Sequence, residues 1–211
     1  MLIGIQLSVL LISIILHEIA HGYVAYRFGD STAKNLGRLS FNPLVHVDVL
    51  GSFIVPGICV LSGSGFFIGW AKPVPVNPRY FSNPLKHMMF VALAGPLVNI
   101  SLVVVSSVIL SLILSLNSGI MVYYNHSIVL TTLLYFIQIN LILAVFNLIP
   151  IPPLDGSRIL MNFVPNKARF LISEFEPYGF VCIFVLAYFG VFNALFSIVL
   201  PPLYRFFIPG V

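Results

Sequence analysis

From Leu2 to Tyr26 the chain runs through leucine, isoleucine and valine for long enough to cross a bilayer. Near the end of that run it carries His17-Glu18-Ile19-Ala20-His21. About 20 residues at a rise of 1.5 Å span a hydrocarbon core of roughly 30 Å. Wherever lipid surrounds it, such a run must satisfy its backbone hydrogen bonds internally, and a single segment can do so only as a helix. An ionisable side chain at that depth costs roughly 2.5–3.5 kcal/mol on insertion scales, so two imidazoles and a carboxylate placed there point to a function.

Composition extends the constraint to the whole chain. It has 211 residues, of which 59% are hydrophobic and 8% charged, and a mean hydropathy of +1.06. Soluble domains carry about 25% charged residues, so this is an integral membrane protein. No long polar stretch leaves room for a separate soluble domain, and residues 1–211 read as one membrane-embedded unit. The net charge of +4 comes from ten Lys and Arg scattered between apolar runs, which is a topology signal and speaks against nucleic acid. Cys59 and Cys182 lie far apart in apolar segments and read as buried free thiols. Residues 1–25 lack a basic start and a small-x-small cleavage site, so they read as a retained helix.

Three further spans follow, over 88–115, 129–150 and 178–200. Glu174 and Glu176 precede the last, with Pro177 in its first turn. Residues 27–48 form a polar connection punctuated by Gly29-Asp30, Gly37 and Asn42-Pro43. Residues 49–68 are apolar but broken by Gly51, Pro56, Gly57, Gly63 and Gly65, which suits a re-entrant segment buried in protein. The proline-rich stretch 69–87 predicts an extended loop or edge hairpin with Trp70 at the membrane interface. The expected fold is therefore all-α and polytopic, with four full transmembrane helices, a re-entrant segment and a short extended or hairpin loop.

Charge supports the re-entrant reading. If residues 49–68 do not cross, nine of the ten Lys and Arg share one side and Arg205 is alone on the other. If they cross, four fall inside and six outside, and the positive-inside bias disappears.

His17 and His21, at i and i+4, share one helix face about a turn apart and can bind one metal ion together. Glu18 can reach a metal-bound water without ligating the metal. Hydrolytic zinc takes three protein ligands and keeps a fourth position for water, so one ligand is still required. Asp155, just beyond the 129–150 helix, is the best candidate. It reaches the depth of His21 only if both helices run the same way, with the single span 88–115 between them, which again makes 49–68 re-entrant.

His17-Glu18-x-x-His21 together with Asn147-x-x-Pro150-x-x-Pro153-Leu154-Asp155-Gly156 resembles the site-2 protease family of intramembrane zinc metalloproteases. Asn42-Pro43-Leu44 with His46 and Asp48, Gly69-Trp70-Ala71-Lys72-Pro73-Val74-Pro75, and Ala94-Gly95-Pro96 with Asn99 look like its compact prokaryotic branch, without a PDZ-like or nucleotide-sensing domain. The resemblance implies one Zn2+ per chain held by His17, His21 and Asp155, with Glu18 as catalytic base. It also implies cleavage of transmembrane substrates near the cytoplasmic face of a prokaryotic cell membrane.

A helical substrate hides its carbonyls in i to i+4 hydrogen bonds, and each freed backbone group costs several kcal/mol in lipid. Asn140 and Asn147, nearly two turns apart, face one way on the helix leading to Asp155. They are expected to hold unwound substrate backbone, with residues 66–80 as an added edge strand; the alternative is that they bind neighbouring helices. His46 and Asp48 read mainly as solvated loop residues, and His87 and His126 as interface residues. Asn99 reads equally as helix glue or site lining, and Arg158 as a partner of headgroups or of Asp155. The function expected is a zinc-dependent intramembrane endopeptidase whose partners are transmembrane proteins and the lipid bilayer. The runner-up is a metal-binding transporter, or an inactive relative that binds membrane helices without cutting them.

Overall fold

The computed structural model describes residues 2–61, 69–116 and 128–208. Helix α1, Leu2–Arg27, is free of proline and ends where Gly29 adopts a φ of +102°, with Arg27 in its last turn complementing the helix dipole. A one-turn helix α2, Thr32–Asn35, follows. After it Leu50–Ile54 wind as a π-turn into α3, Val55–Leu61. These five and seven residues rise about 18 Å at 1.5 Å each, short of a bilayer core of roughly 30 Å. The remainder of the segment expected to be re-entrant, residues 62–68 with Gly63 and Gly65, lies outside the described residues, as does His126.

Residues 69–77 form neither helix nor strand, and no strand occurs among the described residues, so of the expected extended loop or edge hairpin the chain here forms a loop, a strap. Backbone and side-chain bonds hold it against the connection before it. Trp70 N–H donates to Gly51 O at 3.0 Å and Lys72 N–H to His46 O at 2.8 Å. Arg38 Nη2 donates to Lys72 O at 2.7 Å, and Asn77 N–H to Oδ2 of the fully buried Asp30 at 2.6 Å. Trp70 packs on Phe180 with ring centroids 4.7 Å apart.

Helix α4, Pro84–Leu116, starts four residues before the expected span because Asn83 Oδ1 accepts the Lys86 N–H at 3.2 Å and caps it. It packs against both α1 and α5, Ile128–Asn147, which also touch each other. Ala92, Ala94 and Gly95 are buried on it, and such small residues let helix backbones approach closely in lipid. Helix α5 stops at Asn147 rather than at residue 150, because Pro150 disfavours helix in the residue before it and lacks a donor of its own. The short α6, Asp155–Met161, leads to α7, Asn166–Phe175, a 3-10 turn at Glu176–Tyr178 with Pro177 near its start, and α8, Gly179–Tyr188.

Among the described residues, four helices are long and apolar enough to cross a membrane: Leu2–Arg27, Pro84–Leu116, Ile128–Asn147 and the run Asn166–Tyr188. The fourth replaces the span expected over 178–200. Gly190 takes a left-handed φ of +72° and closes α8 by donating to Ala187 O at 3.0 Å. The chain then restarts as α9, Val191–Phe207, which is 17 residues long. Val103 and Leu110 of α4, Leu130, Ile137 and Leu141 of α5, and Leu200 and Ile208 at the C-terminal end form one buried apolar cluster. Cys182 is a free, half-buried thiol.

Candidate metal centre

α1 turns His17 and His21 toward α4, where the wall between them is thin. A Cβ built on Gly95 would stand 2.5 Å from Nε2 of both imidazoles, so only glycine admits them there. Asp155 arrives from the other side as the first residue of α6. Two contacts fix its helix. A Cβ at Gly156 would fall 2.5 Å from Ile149 O, so α6 lies directly on the end of α5, and Arg158 pairs with Glu176 at the start of the 3-10 turn.

The three side chains converge. Nε2 of His17 and of His21 are 2.9 Å apart and lie 3.2 and 3.4 Å from Asp155 Oδ2. Both histidines are buried, and Asp155 Oδ2 is buried with no hydrogen-bond partner among the described residues. The remaining ring nitrogens face oxygen: Nδ1 of His17 lies 2.6 Å from Asn99 Oδ1, and Nδ1 of His21 lies 2.7 Å from Val91 O. Glu18 is not one of the clustered donors; its Oε2 accepts the Val74 N–H of the strap at 2.7 Å.

Other residues singled out in the sequence stand elsewhere. Asn140 is fully buried within the bundle. It donates to Ser13 Oγ at 2.8 Å and Phe136 O at 2.9 Å and accepts from Asn99 at 2.7 Å. Asn147 is half-buried and donates to Leu143 O of its own helix at 2.9 Å. His46 Nε2 bonds to Ser40 O at 2.8 Å and Asp48 Oδ1 accepts the Gly51 N–H at 2.7 Å, so both organise their loop and neither joins the triangle. His87 stacks on Phe28 with centroids 4.1 Å apart. Arg158 serves Glu176 rather than Asp155. Ser13 carried no signal in the sequence; Val74, Gly95 and Asn99 stood in stretches that carry the family resemblance, with no contact to the site legible from them.

Over residues 112–190 the chain matches Peptidase family M50. YwhC of Bacillus subtilis (strain 168), named as a zinc metalloprotease, is 38% identical over 177 residues, which cover 84% of this chain and 77% of YwhC. Rip2 of Mycolicibacterium smegmatis, also named as a zinc metalloprotease, is 28% identical over 178 residues, 83% of this chain and 63% of Rip2. Rip2 of Mycobacterium tuberculosis (strain ATCC 25618 / H37Rv) is 25% identical over 176 residues with the same coverage, 83% and 63%. No solved structure matches the chain.

Helices of membrane-crossing length and a buried two-histidine, one-carboxylate cluster belong to the class of membrane-embedded zinc metalloendopeptidases. The chain is a member of peptidase family M50, the site-2 proteases.

The donor set suits the ion that the family name implies. Imidazole nitrogen and carboxylate oxygen are zinc ligands, and donors about 2.0–2.1 Å from a tetrahedral zinc stand roughly 3.3 Å from one another. The triangle found here has sides of 2.9, 3.2 and 3.4 Å. A buried carboxylate oxygen without a hydrogen bond is costly unless a cation or donor meets it, and a cation between the three groups would do so.

Proposed function

We propose that His17, His21 and Asp155 hold one zinc ion per chain and that Glu18 is the general base for hydrolysis of peptide bonds in transmembrane segments of membrane proteins. The observation that carries this reading is the convergence of three donors, two from α1 and one 134 residues beyond His21, around a buried carboxylate oxygen that lacks a hydrogen bond. When bound, zinc supplies positive charge that acidifies a water and stabilises negative charge developing on the scissile carbonyl oxygen. Glu18, next to His17 in sequence and not itself one of the three donors, takes the proton of the attacking water and passes it to the leaving amine. The Val74 N–H holds its Oε2, so the carboxylate is oriented before substrate arrives.

Asn147, half-buried at the end of α5 ahead of Asp155, is the residue we assign to unwound substrate backbone. Asn140 has its amide NH2 group and one lone pair of its oxygen engaged within the bundle. The site opens toward the cytoplasm of a prokaryotic cell, because residues 27–87 and 156–165, on the side of Asp155, carry seven of the ten Lys and Arg, and Lys167 and Arg169 stand in the first turn of the span that begins at Asn166.

The test is Glu18→Gln, co-expressed beside the native enzyme with single-span membrane proteins. Zinc content stays near one per chain while the cleavage fragment disappears. A fragment that persists with Glu18→Gln removes Glu18 from the chemistry.

A further inference from the structure

Behind His17 runs a line of buried polar side chains that the hydrolysis itself does not use. Nδ1 of His17 is 2.6 Å from Asn99 Oδ1, and Asn99 Nδ2 donates to Asn140 Oδ1 at 2.7 Å. Asn140 Nδ2 donates in turn to Ser13 Oγ at 2.8 Å and to the backbone carbonyl of Phe136 at 2.9 Å. Ser13, Asn99 and Asn140 are all fully buried.

An amide side chain has a donating and an accepting end of nearly the same shape, and its sense is set by its partners. A hydroxyl such as Ser13 Oγ both gives and takes, so it sets nothing. A backbone carbonyl only accepts. The Phe136 carbonyl therefore requires the NH2 end of Asn140, which turns the Asn140 oxygen to Asn99. That oxygen requires the NH2 end of Asn99, which turns the Asn99 oxygen to His17. An imidazole nitrogen facing an amide oxygen must carry the proton. His17 is thus protonated on Nδ1, and its Nε2 is the nitrogen that turns a lone pair toward His21 and Asp155 when the ring is neutral. His21 reaches the same state by a shorter route, since its Nδ1 faces the carbonyl of Val91 at 2.7 Å.

We propose that Asn99 and Asn140 are positioning residues of the metal centre, forming a directional amide relay anchored on the Phe136 carbonyl that fixes the tautomer and ring orientation of His17. This rests on the reading of His17 as a zinc ligand. Polar partners behind a metal-bound histidine act in this way generally, and their loss costs on the order of 10–100-fold in metal affinity. Here the controlling group is a main-chain carbonyl three side chains removed from the ion. It also accounts for two asparagines buried within the bundle, where an unpaired polar group is expensive.

The experiment uses full-length protein labelled with 15N in its histidine rings, in detergent micelles at one fixed pH. His17 is assigned by the loss of its signals in His17→Gln, and zinc affinity is measured by chelator competition. In metal-free native protein, His17 Nδ1 gives a one-bond 15N–1H correlation. Asn140→Leu weakens that correlation, brings up the Nε2–H tautomer and lowers zinc affinity about 10–100-fold. Ser13→Ala, which leaves the Phe136 anchor in place, keeps the native tautomer and affinity. A native His17 without a proton on Nδ1 overturns the relay, and this outcome needs no variant to fold. So does Asn140→Leu with tautomer and affinity unchanged, or Ser13→Ala as damaging as Asn140→Leu. Native protein that shows the Nδ1–H tautomer but takes up no zinc leaves the relay standing and removes His17 from the ligand set.

Discussion

The backbone N–H of Val74 donates to Oε2 of Glu18 at 2.7 Å, joining the strap of residues 69–77 to the acid of the HExxH motif. The strap is held by Gly51, His46, Arg38 and Asp30 from the connection that follows α1, so the orientation of Glu18 depends on a segment 56 residues away.

Replacing Val74 by proline removes that N–H while keeping the extended habit of its flanking prolines. A hydrogen bond to a charged group is worth about 1.5–3 kcal/mol. Cleavage of a transmembrane substrate should fall by about tenfold or more, with zinc content by atomic absorption unchanged. Unaltered cleavage would detach the strap from catalysis.

Asp30 is fully buried and accepts from Thr32 N–H at 2.9 Å, Thr32 Oγ1 at 2.5 Å and Asn77 N–H at 2.6 Å. Asp30→Ala leaves these donors unpaired, at about 1–3 kcal/mol for a buried group. The variant should unfold at a lower temperature in detergent and be cut by trypsin after Arg79 under conditions that spare the native protein. Identical digestion patterns would show that the strap does not depend on this carboxylate.

At Gly95 the argument is one of space. A Cβ there lies 2.5 Å from Nε2 of both His17 and His21, so Gly95→Ala pushes the imidazoles off the triangle. Zinc affinity should drop on the order of 10–100-fold, as for other disturbed metal surroundings, while the circular dichroism of the helices is kept. Native affinity in Gly95→Ala would mean that the two rings are not confined as found.

Asp155→Ala removes the carboxylate oxygen that lies 3.2 and 3.4 Å from the two imidazoles. Purified Asp155→Ala should carry well under half the zinc of the native enzyme, whereas Asn147→Ala should keep its zinc and lose cleavage. Full zinc occupancy without Asp155 would strike it from the ligand set.

How far the sequence reached depended on the range of the interaction. His17 and His21 were legible because a helix fixes the relation of i to i+4 locally. Asp155 could be reached because depth in a membrane is a one-dimensional constraint that two helix directions must share. The pairing of Asn99 with His17 and Asn140 was not legible, since it depends on the rotation of α4 and α5 about their own axes. In an almost uniformly apolar helix no amphipathic stripe reveals that rotation. The same uniformity hid the break at Gly190: hydropathy runs on through 178–200, while a left-handed φ of +72° at one residue ends the helix. The Arg158 pairing with Glu176 went unread because it joins α6 to a turn beyond the next helix. The strap's extended form was legible from its prolines, but its bond to Glu18 was not, because any backbone N–H could have faced that carboxylate.

The apolar cluster of Val103, Leu110, Leu130, Ile137 and Leu141 lies along α4 and α5 on the side away from Asp155. Side chains packed this way offer water no polar partner. A hydrolase must be given a water for every bond it breaks, and an open path through the membrane would let protons follow that water. With apolar side chains packed along these stretches of α4 and α5, a site working as proposed would draw its water from the end of the bundle that carries Asp155.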